Sequence, residues 1–280
     1  MKSKFLTLLF LLLISLPLVV IAQNQVKPAA ATNLATVTTA VPVLDLIANA
    51  LLEKTPISVV YLPPKRLPIN RIPAWLNKTG SNELAVTDAV LTIESVWKDL
   101  AVFPLLRQKN IRLVAIDLAQ EIASGGAGIS QREGISEPDY FWLESNNLLL
   151  MINIAARDLA RLWPEHAQQI SHNRVQALRQ IQQMALQIDE LLLLANINSL
   201  ALNDDDEKLM PLAQATVLPL VALNKADLLL TSSASSKANP NQKVWVVDPL
   251  LRPDVKKPKV KTLEAWLESL VVSLQSALIE

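Results

Sequence analysis

Cysteine is absent from all 280 residues, and histidine occurs only twice, at His166 and His172. The first absence excludes a disulfide, a lipid-modified N-terminal cysteine and a cysteine nucleophile. The two histidines stand six residues apart in a helical stretch, whereas two ligands on one helical face need a spacing of three or four. They read as exposed helix residues. Glycine is scarce too: there are five, and four of them lie at 125, 126, 128 and 134. A phosphate-cradling loop needs a strand before it and a helix directly after it, but Pro138 and Tyr140 intervene before any helix, so this is a surface loop. Neither a Gly-x-Ser-x-Gly nor a Walker sequence is present, and neither histidine has an obvious Ser and Asp in a family-like order. An enzyme is not expected. Excess charge of either sign is also missing: 26 Lys and Arg balance 26 Asp and Glu, with no long block of one sign, which gives no support for nucleic-acid binding.

Only one run is long and apolar, from Phe5 to Ile21, after Lys2 and Lys4. Pro17 interrupts it, and Val20-Ile21-Ala22 ends it with a small-residue cleavage site. Residues 1–22 are expected to be a cleaved signal peptide, leaving a periplasmic protein without a lipid anchor that starts at Gln23. The remaining 258 or so of the 280 residues suffice for two ordinary domains. A hydrophobic content of 51% is that of a packed chain.

The first half alternates strand and helix. Strands are expected at 35–39, 57–62, 88–91 and 111–116, and helices at 43–54 and 96–107. That alternation predicts an α/β fold with a parallel sheet covered by helices. Leu148, Ile152, Ala155, Leu159 and Leu162 then mark a helix ending at Trp163-Pro164. From Glu165 to Ala195 there is neither Gly nor Pro, and Ile170, Ala177, Ile181, Ala185 and Ile188 recur on one side. Such a helix is about 45 Å long, and periodicity alone leaves open whether it connects two lobes or serves one bundle. Strands are further expected at 218–223 and around 227–231, and Thr262 to Ile279 reads as an amphipathic helix.

Several segments, in order, resemble the periplasmic solute-binding proteins of zinc and manganese ABC transporters, the ZnuA/TroA type. Val37-Thr38-Thr39 through Leu62-Pro63-Pro64 resembles that family's opening strand, helix and strand with its Pro-Pro loop. Pro138 to Asn147 resembles its Asp-Pro-His-x-Trp-Leu-Asp segment, Pro164-Glu165-His166-Ala167 the start of its linker helix, and Val244 to Leu250 its last strand with Asp-Pro-Leu. The resemblance implies two parallel-sheet lobes joined by a long rigid helix, with an ion held between them. The N-terminal lobe is placed at 23–142, the helices with the linker at 143–197 and the C-terminal lobe at 198–280. It also implies an inner-membrane ABC permease as partner and a monomeric state.

The family's four ligand positions map onto Ile69, Tyr140, Asp206 and Asp248. Ile69 follows Pro68 where the family has a Pro-His pair. Tyr140 stands two residues before Trp142, in the place of the second imidazole. Asp206 aligns without gaps to the third ligand, and Asp248 is the carboxylate of the last-strand motif. Both imidazoles are thus replaced, and the His-rich loop has no counterpart between Ser124 and Glu137. Asp206 and Asp248 remain as metal ligands, too few for tight Zn²⁺ or Mn²⁺ capture, since a phenol with a pKa of about 10 is neutral at neutral pH. The run Asp204-Asp205-Asp206-Glu207 lacks calcium-loop spacing and reads as a helix start whose carboxylates accept backbone N–H groups. The C-terminal lobe looks shortened, because a Ser/Asn/Pro stretch from Ser232 to Gln242 leads straight into Val244. A thinly covered sheet face there would suit a protein partner. Two functions stay open: a solute-binding protein with a degenerate site, or a non-transporting interaction module on the same scaffold.

Overall fold

The computed structural model describes residues 34–233, 242–253 and 261–279. The expected signal peptide therefore lies outside the described residues. Four short parallel strands open the fold, β1 (Thr36–Thr39), β2 (Ser58–Tyr61), β3 (Ala89–Thr92) and β4 (Val114–Asp117), in the sheet order β2-β1-β3-β4. Val37 aligns with Val59 on one side and Ala89 on the other, and Ala89 aligns with Val114. All four residues of β3 are buried, as an interior strand of a sheet covered on both faces requires. Helix α1 (Pro42–Leu51) packs on β1 and β2. It starts at Pro42, where a missing N–H costs no helical hydrogen bond.

Residues 96–107 do not form the continuous helix that their composition predicts. A 3-10 turn at Lys98–Leu100 precedes a five-residue helix, while α2 (Ile72–Leu76) lies earlier and this short one is α3 (Phe103–Arg107). Pro104 forces the break, because inside a longer helix it would remove a hydrogen bond and clash with the preceding turn. The Glu94 carboxylate completes the new start by accepting from the Val102 and Phe103 amides, both at 3.1 Å.

Helices α4 (Ser145–Leu162) and α5 (Ala167–Leu194) follow as a packed pair. The Glu144 side chain caps α4 by accepting from the amides of Asn146 and Asn147. Along α5, Ile170, Asn173, Ala177, Ile181, Met184, Ile188 and Leu192 are buried at spacings of three and four. Asn173 is the polar member of that stripe, and its Nδ2 donates to the carbonyls of Leu51 and Glu53 at the end of α1.

A second sheet is built from β5 (Leu200–Leu202), β6 (Leu228–Thr231) and β7 (Lys243–Val246), all parallel in that order. Between β5 and β6 comes α6 (Met210–Ala215). The expected strand at 218–223 does not form. Leu220 makes one isolated parallel bridge to Leu200, and 223–225 is a 3-10 turn. Pro219 has no amide to give a ladder, and Val217 takes φ 57°, a left-handed value that breaks extended chain. This segment lies against β5, which is three residues long and unannounced by the sequence pattern: Leu200 donates to Pro219 O and accepts from the Val221 amide, both at 3.0 Å.

Helix α7 (Leu263–Ile279) packs on β7 and along α5, so α5 contacts both α1 beside the first sheet and α7 beside the second. Trp245 and Trp266 are fully buried between these elements. The shortened half is covered at its centre, since all four residues of β6 are buried, while Val244 and Val246 on β7 stay half-buried. Among the described residues no helix is long and apolar enough to cross a membrane.

Candidate functional site

In a parallel sheet every strand ends on the same side, and the loops that leave those ends form the natural ligand crevice. Ile69 lies on the chain leaving β2, Tyr140 on the chain between β4 and α4, Asp206 just after β5 and Asp248 two residues after β7. Hydrogen bonds tie these four segments to one another. The Ile69 amide donates to Leu251 O at 2.7 Å, the Tyr140 amide to Lys208 O at 3.0 Å, and Trp142 Nε1 to Pro249 O at 3.0 Å. Trp266 Nε1 donates to the neighbouring Asp248 O at 3.1 Å. Two indoles from different helical segments thus hold consecutive carbonyls at the end of β7.

The four side chains differ sharply in what they offer. Ile69 is 1% exposed and carries no donor atom. Tyr140 is half-buried, and burial first, then the negative charges of Glu137 and Asp206, push its phenol above the ordinary value, so it is neutral at physiological pH. Asp206 is 5% exposed, and its carboxylate is committed to the protein itself. Oδ2 accepts from Thr231 Oγ1 at 2.6 Å, while Oδ1 accepts from the Ser232 amide at 2.9 Å and from Ser232 Oγ at 2.6 Å. Burial alone would raise this acid, but the Ser232 and Thr231 donors, with Asn203, outweigh it and hold the group below the usual carboxylate value.

That bond set corrects the expected helix cap. Asn203 is the cap residue of the 3-10 turn Asp204–Leu209, with no side-chain cap bond, and Asp206 reaches across to the end of β6 instead. Asp248 is exposed, and its Oδ1 accepts from the Leu250 amide at 2.9 Å, which accompanies the left-handed φ of 57° at Leu250. His172 is exposed and His166 half-buried, the latter 4.0 Å from Glu165.

Charged groups from distant parts of the chain surround Tyr140. Arg132 donates through Nε and Nη2 to the 4% exposed Asp139 at 2.6 and 2.8 Å, and through Nη1 to Glu207 at 2.8 Å. Lys208 pairs with Glu137 and lies 5.8 Å from the ring centre of Trp97. No local spacing announces these contacts, because Arg132 and Glu207 are 75 residues apart. Beside this network a cavity of about 560 Å³ is lined by Ser130, Arg132, Glu144, Asn146 and Asn147 among others.

Zinc needs about four N, O or S ligands at roughly 2.0–2.2 Å for its N and O donors. One exposed carboxylate, one carboxylate already hydrogen-bonded through both oxygens, a neutral phenol and an isoleucine do not supply them. Among the described residues no group of three or more His, Cys, Asp or Glu side chains is placed to hold a metal ion.

No family model and no curated protein matches the chain. Solved structures do. A crystal structure of ZnuA matches at 15% identity with a TM-score of 0.57, over 88% of this chain and 99% of that one. A Zn(II)-bound variant of AdcAII from Streptococcus pneumoniae matches at 12% identity and 0.61, over 86% and 98%. The metal-dependent lipoprotein YcdH from Bacillus subtilis matches at 13% and 0.61, over 87% and 98%. Two parallel sheets, a long helix that packs beside both and coverage of nearly the whole length on either side give this chain the ZnuA/TroA-like fold.

Proposed function

We propose that this chain is the solute-binding component of an ABC transporter, working in the periplasm, with a degenerate metal site and weak affinity for Zn²⁺ and Mn²⁺. The fold supports the transport assignment, because the neighbours are zinc-bound and metal-dependent proteins of this architecture. The observation that carries the weak-affinity reading is the chemistry at the four strand-end positions: Ile69 and Tyr140 offer no metal-ligating nitrogen, and Asp206 is spent on Thr231 and Ser232. Of the expected ligands Asp206 and Asp248, only the second presents an exposed carboxylate. The reading divides the mature chain into lobes at 23–142 and 198–280 with the connecting helices at 143–197, monomeric and non-catalytic. An inner-membrane permease is its partner.

The alternative is an interaction module without a transport role, with a protein partner at the shortened C-terminal half. One observation favours it: the charges around Tyr140 are paired with one another, Arg132 with Asp139 and Glu207 and Lys208 with Glu137.

Calorimetric titration of the purified protein with Zn²⁺ and Mn²⁺ tests both. Nanomolar binding by the wild type overturns the degenerate-site reading. Replacing Ile69→His and Tyr140→His together adds two neutral nitrogens beside Asp248 and should tighten Zn²⁺ at least tenfold, about 1.4 kcal/mol. Because Ile69 is buried, the melting temperature of the double variant must be followed in parallel.

A further inference from the structure

Lys208 comes directly after the acidic run, where a lysine would ordinarily extend into water. Here its side chain is only 33% exposed, and it spans parts of the fold that the sequence keeps far apart. Its Nζ donates to Glu137 and stands 5.8 Å from the ring centre of Trp97 and 6.0 Å from that of Tyr140. Trp97 belongs to the connection between β3 and α3 and is 7% exposed. Glu137 and Tyr140 precede α4, and Lys208 itself follows β5, with its carbonyl accepting from the Tyr140 amide. A primary ammonium held against two ring faces and one carboxylate is the chemistry by which proteins recognise alkylammonium groups. The rings matter more than the carboxylate, because Glu137 is 69% exposed and its pairing is screened by water and salt. Ordering a lysine costs side-chain entropy, so its confinement calls for compensating attraction.

We infer that Trp97, Tyr140 and Glu137 form a binding site for a primary alkylammonium group, and that Lys208 fills it from within, pinning the segment after β5 to the connection between β3 and α3. Two aromatic faces and a single carboxylate accept an organic cation and offer no ligand set for a first-row metal.

Lys208→Ala removes the arm and leaves the cage. The variant should melt on the order of 2–4 °C below the wild type. n-Butylammonium chloride should recover that loss in the variant and leave the wild type unchanged, whereas sodium chloride at equal ionic strength should not recover it. In the Trp97→Leu/Lys208→Ala double variant the recovery should vanish. If butylammonium and sodium act alike on Lys208→Ala, or if Lys208→Met, which keeps the aliphatic stem, melts with the wild type, the inference is overturned. A second arm does not depend on purifying Lys208→Ala: in a cycle of Trp97→Leu and Lys208→Met the double variant should lose less than the sum of the singles, and additivity would equally overturn it.

Discussion

Replacing Asp206 by Ala separates a ligand from a strut. Its carboxylate accepts three hydrogen bonds from two consecutive residues at the end of β6, and Thr231 is fully buried there. Leaving a buried donor without its acceptor costs about 1–3 kcal/mol, more when the acceptor was charged. Ser232 Oγ is exposed and can turn toward water, so the bonds from Thr231 Oγ1 and from the Ser232 amide, two of the three, set the scale. The loss should be about 2–4 kcal/mol, which for a domain of this size lowers the melting temperature by about 5–15 °C. Asp206→Asn keeps the volume and one carbonyl acceptor but turns an amide donor toward these donors, and it should fall between wild type and Ala. The pH dependence gives an independent check. The folded pKa of Asp206 lies below that of an unfolded aspartate, so its contribution is complete above about pH 4 and is lost as pH falls through the lower folded value. Circular-dichroism melts of wild type and Asp206→Ala should therefore converge in acid and separate fully by neutral pH. An Ala variant that melts within a degree or two of wild type while its Zn²⁺ titration changes would refute the strut and restore Asp206 as a ligand.

Two further outcomes follow from single buried atoms. Asn173→Ala strips both carbonyls at the end of α1 of their donor and should cost about 1–3 kcal/mol, read from chemical denaturation midpoints at unchanged slope; no loss would mean that those carbonyls find other partners. The Tyr61 hydroxyl is buried with no hydrogen-bond partner among the described residues, so Tyr61→Phe should be neutral or stabilising by up to about 1 kcal/mol, and a clear destabilisation would show that the hydroxyl is bonded after all.

What the sequence could tell of all this depended on distance along the chain. Strands β1 to β4 and helices α1, α4, α5 and α7 were readable because their apolar residues repeat within a few positions, as Ile170 to Ile188 do. Residues 218–223 misled for the same reason: their apolar run outweighed Pro219, and the three residues of Leu200–Leu202 carry too little pattern to compete. For the candidate site, the resemblance implied the positions Ile69, Tyr140, Asp206 and Asp248, where the residue types offer no imidazole. It could not show that Asp206 is occupied, because Thr231 and Ser232 lie some 25 residues away and meet it only after β5 and β6 align. Lys208 was equally silent, since a lysine after an acidic run looks like any solvated charge.

Asn173 also bears on how the molecule can move. Its amide holds two carbonyls from separate positions at the end of α1, so an axial slip of α5 strains both bonds at once. The front of the long helix is thus tied by side-chain bonds to the half that holds the first sheet, and sliding of α5 along α1 carries the cost of those bonds, whereas bending or rotation farther along α5 does not.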